Sequence, residues 1–501
     1  MQVVKKLTNV VWSREGCIGL FLLLMLLSSS PLLQMYVGPF TKVALLWGGV
    51  ILIKDLFCGR ALYKNRFSWI LALFCCSYGI SILLAGSGYL PANATQFCYM
   101  ILIFFLLFSN PLQDSVSKKK DEVWQLTNLM IAGMAFMTLS CLILYLFMID
   151  YVYITPAGEV MHTGIQFDRL WGLYNPNTGS TLCVLSIILS IMQIQLRPCG
   201  KLLKTIYAAN MVLQYIYLLL SQSRTARYAL YIVLAVLLFL ILALSLKNKG
   251  WHWLRTAIVS VLCPFVVVAL LYATQPYIMK GLAVIPTAMQ QQTIFKPGGT
   301  PQKGPVLSER EDIVKEDGDV TNGRTDIWKA GYRTFKKYPV FGVSREALSD
   351  QTAKYLDEDR QPNLVRGGLH NIYLSVLVCS GAAGFVILGF FALKAAWLLF
   401  IKGHPKLHCG RLWQWTLVAI PVYFAIVEMF EARILFKASI FSAMFWLYLG
   451  YAVFFAEKDL AKQGKGIVGD GLLAQSDWLS RLERRLLQKK AWKTKERMEH
   501  V

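Results

Sequence analysis

The stretch from residue 367 to residue 400 reads GGLHNIYLSVLVCSGAAGFVILGFFALKAAWLLF. It joins the end of a long polar segment, residues 276–370, to an apolar run that is long enough to cross a lipid bilayer. Loops of more than about fifteen residues without structure of their own are uncommon and are usually functional. The sequence therefore predicts a membrane protein with one large functional loop, which ends at His370.

The rest of the chain has the composition of a membrane protein. Of its 501 residues 56% are hydrophobic, and the mean hydropathy of +0.48 is too high for a soluble protein of this length. Because backbone groups in lipid must be satisfied internally, the apolar runs predict an all-α polytopic fold with about twelve transmembrane helices. The runs cover residues 17–37, 39–57, 67–87, 93–109, 124–149, 176–196, 203–221, 225–246, 255–275, 371–400, 412–430 and 434–455.

Basic residues indicate the orientation of the chain. They concentrate in alternate connectors, for example at 118–120 and 247–255, while the intervening short connectors carry few. This positive-inside pattern predicts that both termini are cytoplasmic and that the large loop is outside. The net charge of +22 reflects this asymmetry and a basic tail, so it does not indicate a nucleic-acid partner.

The chain is accordingly divided into four parts. Residues 1–275 hold transmembrane helices 1–9, residues 276–370 the extracytoplasmic loop, and residues 371–456 transmembrane helices 10–12. Residues 457–501 form a basic amphipathic cytoplasmic tail, which we expect to lie on the anionic membrane lipids.

Within the loop, a helix is predicted over residues 323–338 and is ended by Pro339. Arg324 lies at its start, on the same face as Trp328. A cation at a helix N-terminus opposes the helix dipole, so this position suits Arg324 if an anion such as a phosphate lies beside it. The alternative is an arginine that packs around Trp328 or pairs with Asp326.

His370 is the second candidate site residue. It precedes Asn371, which can cap the membrane helix that begins there. A neutral imidazole at the membrane–water boundary can accept the proton of an attacking hydroxyl group. The alternative is an interfacial histidine that only hydrogen-bonds the chain at the membrane entry.

Two further short segments place polar residues at the starts of apolar runs. Arg224, in the Ser-Arg-Thr turn at 223–225, and Arg227 can share one helix face. Such arginines either anchor a helix at the interface or, when directed into the bundle, bind an anionic substrate. The Asn-Pro-Asn sequence at 175–177 caps and starts a helix, and Asn177 can also hydrogen-bond a sugar.

The sequence predicts no metal site and no cofactor. It has no glycine-rich phosphate loop, no HExxH motif and no nucleophile elbow. The acidic residues between 309 and 319 are irregularly spaced and interleaved with basic ones, which favours a solvated loop over a cation site.

In this order, these segments resemble the O-antigen ligase and polymerase-like membrane glycosyltransferases. The resemblance covers about residues 165–450, and the earlier helices agree in topology only. The matching segments are Asn-Pro-Asn at 175–177, Ser-Arg-Thr at 223–225, Gly-Arg-Thr-Asp-Ile-Trp at 323–328, Tyr-Pro-Val-Phe-Gly at 338–342 and His-Asn-Ile-Tyr at 370–373.

The resemblance implies a GT-C-like fold and a function. A glycan would pass from a polyprenyl (undecaprenyl) diphosphate carrier to a hydroxyl of a glycan, lipid or protein acceptor, outside the bacterial cytoplasmic membrane. The transfer would be metal-independent and inverting, and the protein would act as a polysaccharide ligase or polymerase. Arg224 and Arg324 would neutralise the diphosphate, and His370 would be the general base. The implied substrate-binding residues are Arg227, Tyr373, Asn177 and Trp328.

The alternative from another class is a transporter or flippase of lipid-linked glycan, because about twelve helices with both termini inside also suit a carrier. Carriers usually contain internal repeats and charges near the membrane midplane. The sequence has no visible repeat and few charges inside its apolar runs, which favours the glycosyltransferase interpretation.

Overall fold

A computed structural model describes residues 12–59, 66–111, 114–154, 160–166, 168–292, 323–403 and 412–462. The acidic patch at 309–319 and the basic amphipathic part of the tail, residues 463–501, lie outside the described residues. The described beginning of the tail, up to Lys462, continues the last helix of the bundle.

Apolar helices make up most of the structure. The first nine are α1 (Arg14–Ser28), α2 (Pro31–Lys54), α3 (Ser68–Leu84), α4 (Leu90–Leu102), α5 (Val116–Leu146), α6 (Pro176–Leu196), α7 (Lys201–Leu220), α8 (Arg224–Asn248) and α9 (Trp253–Gln292). The large loop contributes α10 (Arg324–Lys337), α11 (Leu348–Ala353) and α12 (Gln361–Gly367). The last three are α13 (Ile372–Trp397), α14 (Leu412–Val427) and α15 (Ile440–Lys462).

Every apolar run expected from the sequence coincides with a helix, which confirms the all-α polytopic membrane fold. Within the described residues, 9 helical segments are long and apolar enough to span a membrane. The three remaining apolar helices, α1, α3 and α14, have 15, 17 and 16 residues. Sixteen residues rise only about 24 Å, so these three are short for a hydrocarbon core of about 30 Å. Among the described residues, nine of the expected spans thus meet the length and composition of a membrane helix, and the other three are shorter apolar helices.

Two helix boundaries differ from the expected ones, and both lie next to a proline. The first helix ends at Ser28 and Pro31 opens α2, because proline fits the first turn of a helix. Helix α9 continues through Gln292, past the expected loop start at residue 276. An internal proline such as Pro276 bends a helix without having to end it.

A third difference lies near the C-terminal end of the bundle. Helix α14 ends at Val427 and α15 begins at Ile440, so residues 428–439 form a connector where nearly continuous helix was expected. Ser439 caps α15 by accepting a hydrogen bond from the Ser442 amide at 3.1 Å.

Two small antiparallel hairpins between α5 and α6 depart from the helical pattern. Strand β1 (Tyr151–Ile154) pairs with β2 (Val160–Thr163), and β3 (Ile165–Gln166) pairs with β4 (Arg169–Leu170). They lie at the end of the bundle that also carries the large loop. We call this end the loop face; it comprises residues 147–154, 160–166, 168–175, 221–223, 323–371 and 428–439.

The large loop is inserted into a break in α13. Gly381, inside this helix, has φ 64° and ψ −172°, so the regular helical bonding is interrupted there. The loop segment 339–344 fills the break through four backbone hydrogen bonds of 2.8–3.1 Å. The amides of Ala382 and Ala383 donate to the carbonyls of Pro339 and Val340, and those of Val343 and Ser344 donate to the carbonyls of Val378 and Cys379.

Helices α3 and α4 hold the same loop segment from the other side. The hydroxyl of Tyr78 accepts a hydrogen bond from the Arg345 amide at 3.1 Å, and the Asn93 amide group donates to the Ser344 hydroxyl at 3.0 Å. Tyr78 and Asn93 are both fully buried. The N-terminal helices therefore help to position the loop as well as to span the membrane.

The break at Gly381 leads to a first prediction. A Cβ at this position would lie 2.2 Å from the Val340 carbonyl oxygen, and its positive φ costs a non-glycine residue about 1–3 kcal/mol by itself. Gly381→Ala should therefore lower the thermal unfolding temperature of the purified protein.

The matched control is Gly389→Ala in the same helix, where a Cβ would meet nothing within 4 Å. Alanine there should keep or slightly raise the unfolding temperature, because it favours helix over glycine. Equal unfolding temperatures for the two variants would contradict the proposed tight insertion.

Candidate functional site

The backbone that carries His370 is held in an uncommon conformation. His370 has φ 49° and Gly368 has φ 64°, both in the left-handed region. Asn371 caps α13 as expected, since its side chain accepts a hydrogen bond from the Leu374 amide at 2.9 Å. A polar residue kept in such a conformation by its surroundings is typical of functional sites.

The two nitrogens of the His370 ring have different environments. A Cβ on Gly367 would come within 2.0 Å of Cε1 and Nε2, so the ring lies directly over this glycine. Nδ1 is buried and lies 3.8 Å from Oε2 of Glu431, an ion-pair distance that is long for a hydrogen bond. A carboxylate here favours a proton on Nδ1, which leaves the Nε2 lone pair free to accept one.

Asn177 connects Glu431 to the start of α8. Its Nδ2 donates to Oε1 of Glu431 at 3.4 Å. Its Oδ1 accepts hydrogen bonds from Arg169 at 2.8 Å and from the Ser223 hydroxyl at 3.3 Å. The side chain of Asn177 thus bonds Arg169, Ser223 and Glu431, and its expected role in sugar binding stays a prediction.

Glu431 is ionised at neutral pH although it is largely buried. Burial raises the pKa of its carboxyl group, but nearby positive charges outweigh this effect and lower the pKa from 4.5 to about 2. Arg433 makes the largest contribution and Arg324 a smaller one, and the nearby side chain of His370 also lowers the pKa. Glu431 is therefore a fixed negative charge beside the imidazole.

Arg433 forms an ion pair with a second carboxylate of the same connector, that of Glu428. Its Nε lies 3.2 Å from Oε1 of Glu428, and its amide donates to Oε2 of Glu428 at 2.6 Å. Glu428 is fully buried, and burial raises the pKa of its carboxyl group while Arg433 opposes this. The pair holds the connector at a fixed position next to His370, because the Glu428 carbonyl also accepts a hydrogen bond from the Ile372 amide at 2.9 Å.

Arg324 is the first residue of α10, as expected, and is partly buried. The expected alternative pairing with Asp326 is not observed, since that carboxylate contacts Lys329 and Arg360 at 3.6 and 3.5 Å. Within the described part of the chain Arg324 has no hydrogen bond or ion pair within 4 Å, and its charge acts on Glu431.

Trp328 has a positioning role in the structure. Its indole N–H donates to the Leu369 carbonyl at 2.8 Å, which fastens α10 to the residue before His370. Gly331, one turn further, would clash with Leu369 at 2.9 Å if it had a Cβ. Trp328 and Gly331, on the face that Trp328 was predicted to share with Arg324, therefore pack on the His370 segment.

Arg224 and Arg227 line a cavity of about 330 Å³ between α8 and α9. Tyr272 and Gln275 of α9 line its opposite side. The Nε of Arg227 and the Oε1 of Gln275 are buried without a hydrogen-bond partner among the described residues. Since Ser223, which bonds Asn177, immediately precedes Arg224, this polar cavity is adjacent to the His370 network.

Tyr373 is the expected site residue that the structure does not bring into this network. Its hydroxyl donates to the Ala425 carbonyl at 2.9 Å, which joins α13 to α14. The ring itself is 46% exposed, so one face remains open to a bound molecule.

Three residues of the site were missed in the sequence. Glu431 and Arg433 were placed at the edge of an apolar run, where charges are easily taken for interfacial anchors. Arg169 lies in β4, and no strand was expected there. The available signal was the sequence Glu-Met-Phe-Glu-Ala-Arg at 428–433, which is too polar for the middle of a membrane helix.

The loop face thus combines a histidine–carboxylate pair with Arg324, whose side chain has no ion pair within 4 Å among the described residues. Such an arrangement can move a proton and neutralise an anionic substrate. Among the described residues, no group of three or more His, Cys, Asp and Glu side chains could hold a metal ion.

Comparison with known proteins agrees with this class of membrane protein. Residues 209–389 match the family model described as O-Antigen ligase. The match confirms the resemblance to the O-antigen ligase and polymerase-like family over this stretch, which includes Arg224, Arg324 and His370. Asn177 and Glu431 lie outside it. A search of curated proteins finds no match to the chain.

The low pKa of Glu431 leads to a second prediction. Because its folded-state pKa is depressed, its stabilisation is fully present above about pH 4.5 and is lost as the pH falls toward 2. The shift corresponds to about 3 kcal/mol at most. Glu431→Gln should therefore be less stable than wild type at pH 7 and should lose less stability on acidification, as measured by thermal unfolding.

The control is Glu358→Gln, an exposed carboxylate in the same loop. This variant should follow the wild-type curve at every pH. If Glu431→Gln also followed that curve, the electrostatic role of Glu431 would be wrong.

Proposed function

We propose that this protein transfers a glycan from a polyprenyl diphosphate carrier to an acceptor hydroxyl group, as a polysaccharide ligase or polymerase. The family match supports a membrane ligase or polymerase role. The observation that carries the finer proposal is the His370–Glu431 pair beside Arg324, joined through Asn177 to the start of α8.

In this reaction His370 is the general base. Nε2 accepts the proton of the acceptor hydroxyl while its oxygen forms a bond to the anomeric carbon of the donor glycan. Glu431 stabilises the imidazolium that results and keeps the ring in the correct orientation. The Nδ1–Oε2 distance of 3.8 Å is long, as catalytic hydrogen bonds often are before substrate binds.

Arg324 and Arg224 act on the leaving group. As the anomeric C–O bond breaks, the electron pair stays on the diphosphate, and two guanidinium groups can neutralise this developing charge bidentately. No metal ion is needed for this step when the arginines supply the positive charge. Attack by the hydroxyl from the opposite face inverts the anomeric centre.

The cavity between α8 and α9 is the proposed place for the carrier diphosphate. It contains Arg224 and Arg227, and Gln275 offers an unpaired buried oxygen next to them. Helix α9 is a peripheral helix, and only 11% of its most apolar stretch is buried. The cavity therefore lies near the lipid, where a polyprenyl chain can reach it laterally. Trp328 and Tyr373 are proposed to contact the glycan.

The proposed location is the bacterial cytoplasmic membrane, with both termini in the cytoplasm and the loop face outside. The distribution of basic residues supports this orientation. The acceptor is a glycan, a lipid or a protein that presents a hydroxyl at the outer surface.

A third prediction tests the reaction directly. Purified protein is supplied with a polyprenyl-diphosphate oligosaccharide and an acceptor in the presence of EDTA, and product formation is measured. Wild type should transfer glycan. His370→Ala should be slower by about 10²–10⁴-fold and Arg324→Ala by about 10²–10³-fold, because they remove the base and one stabilising charge.

Arg333→Ala provides the control, because Arg333 is an exposed arginine on the same helix as Arg324. It should retain wild-type activity, and product length then distinguishes polymerase from ligase. If all three variants were fully active, the proposed site would be wrong. If wild type released no carrier diphosphate with any acceptor, a transporter or flippase would be the better interpretation.

A fourth prediction concerns the glycine beneath the imidazole. Gly367→Ala places a Cβ where Cε1 and Nε2 of His370 now lie, so the ring must move. We expect a fall in the transfer rate of at least about tenfold with little change in donor KM, since a displaced base slows proton transfer.

Gly88→Ala is the comparison, because a Cβ there meets nothing within 4 Å on the same face of the bundle. It should be fully active. A Gly367→Ala enzyme with the wild-type rate would show that the ring position seen in the structure is not the one used in catalysis.

A further inference from the structure

Two adjacent glycines lie under two different side chains, the proposed base and an arginine. The His370 ring lies over Gly367, and the Arg345 guanidinium lies over Gly368, with Nη2 3.5 Å from the position of a Cβ there. Gly367 and Gly368 are consecutive, so the imidazole and the guanidinium lie over adjacent positions of one backbone segment.

Lys437 comes to the same region from the connector 428–439. Buried Tyr78 contacts both segments: its hydroxyl accepts a hydrogen bond from the Arg345 amide at 3.1 Å, and its ring lies 4.7 Å from that of Phe436. Phe436 has φ 59° and is buried, and the Lys437 carbonyl accepts a hydrogen bond from the Ser442 hydroxyl at 3.1 Å. The backbone at both cations is thus fixed.

The two cations have no close counterion. Within the described part of the chain, neither side chain has a hydrogen bond or an ion pair within 4 Å. The side chain of Lys437 reaches solvent. The pKa of its ammonium group is nevertheless lowered, first by partial burial and then by the positive charges of Arg345 and Arg433. Glu431 and Glu346 oppose this lowering without cancelling it. Like charges held together in this way are stabilised by a bound anion.

We propose that Arg345 and Lys437 bind an anionic group of the acceptor, such as a phosphate, and thereby place the acceptor hydroxyl at Nε2 of His370. This inference rests on the proposed function and deepens it, because it names the chemical class of the acceptor. The donor diphosphate has its own cations in Arg224 and Arg324. A guanidinium suits this task because it can hold two oxygens of one phosphate in a fixed geometry.

The acceptor phosphate has two possible sources. It can belong to a phosphorylated glycolipid that receives a finished glycan, or to the carrier of a second lipid-linked glycan during polymerisation. The chemistry of recognition is the same in both cases, so the source has to be distinguished by the choice of acceptor in the assay.

The test measures acceptor KM, donor KM and kcat for the full-length protein with three acceptors. These are a phosphorylated glycolipid, the same glycolipid after phosphatase treatment, and a polyprenyl-diphosphate glycan. With the preferred phosphate-bearing acceptor, Arg345→Gln and Lys437→Gln should each raise acceptor KM by about 10- to 100-fold while donor KM stays unchanged. Wild type with the acceptor that lacks phosphate should behave as Arg345→Gln does.

Two further variants sharpen the result. Arg345→Lys should restore part of the acceptor affinity, because it keeps the charge but loses the bidentate geometry. Lys354→Gln, an exposed lysine elsewhere in the loop, should leave all constants unchanged. Preference for the phosphorylated glycolipid would indicate a ligase, and preference for the carrier-linked glycan a polymerase.

A readout without turnover is the acylation rate of Lys437, followed by mass spectrometry. The phosphorylated glycolipid should slow labelling of Lys437 in wild type but not in Arg345→Gln. Unchanged acceptor KM in both variants, or a rise in donor KM instead, would overturn the proposal while glycan transfer itself continued. Absence of transfer by wild type with any acceptor would instead contradict the proposed function.

Discussion

The insertion of the loop into the break at Gly381 is the contact on which the arrangement of the loop face depends. Amide and carbonyl groups that a continuous α13 would bond internally are bonded by residues 339–344 instead. Unpaired backbone groups at membrane depth cost several kcal/mol each, so the break is stable only while the loop fills it. Filling it also fixes the direction in which the chain leaves on both sides of residues 339–344.

On one side of this segment is α10, and on the other is the path to His370. Trp328 fastens α10 to Leu369, and Tyr78 holds Arg345 against α3. Helices α3 and α4 are far from the site in sequence. They nevertheless help to position the segments that carry His370, Arg324 and Arg345. The proposed site depends on the whole bundle, although its charged groups come from the loop face and from the start of α8.

Charge balance explains why the site combines strong pairs with open cations. Glu428 and Arg433 neutralise each other in a buried pair, and Glu431 is oriented by Asn177 toward the imidazole. Arg324, Arg345 and Lys437 remain without close counterions among the described residues. Cations without close counterions fit the proposed reaction, in which both donor and acceptor bring negative charge, and they would be needlessly costly in a scaffold.

The sequence by itself determined the membrane class, the positions of the apolar helices, the helix that starts at Arg324 and the cap at Asn371. Each of these depends on local period, length or capping, which residues close in sequence decide. Only the tertiary structure decided that Glu431 lies beside His370, that Asn177 joins it to Ser223, and that the Arg345 guanidinium lies over Gly368, next to the glycine under the imidazole. These contacts join residues tens to hundreds of positions apart, and they depend on how a broken helix, a loop and a connector pack together, which no local pattern encodes.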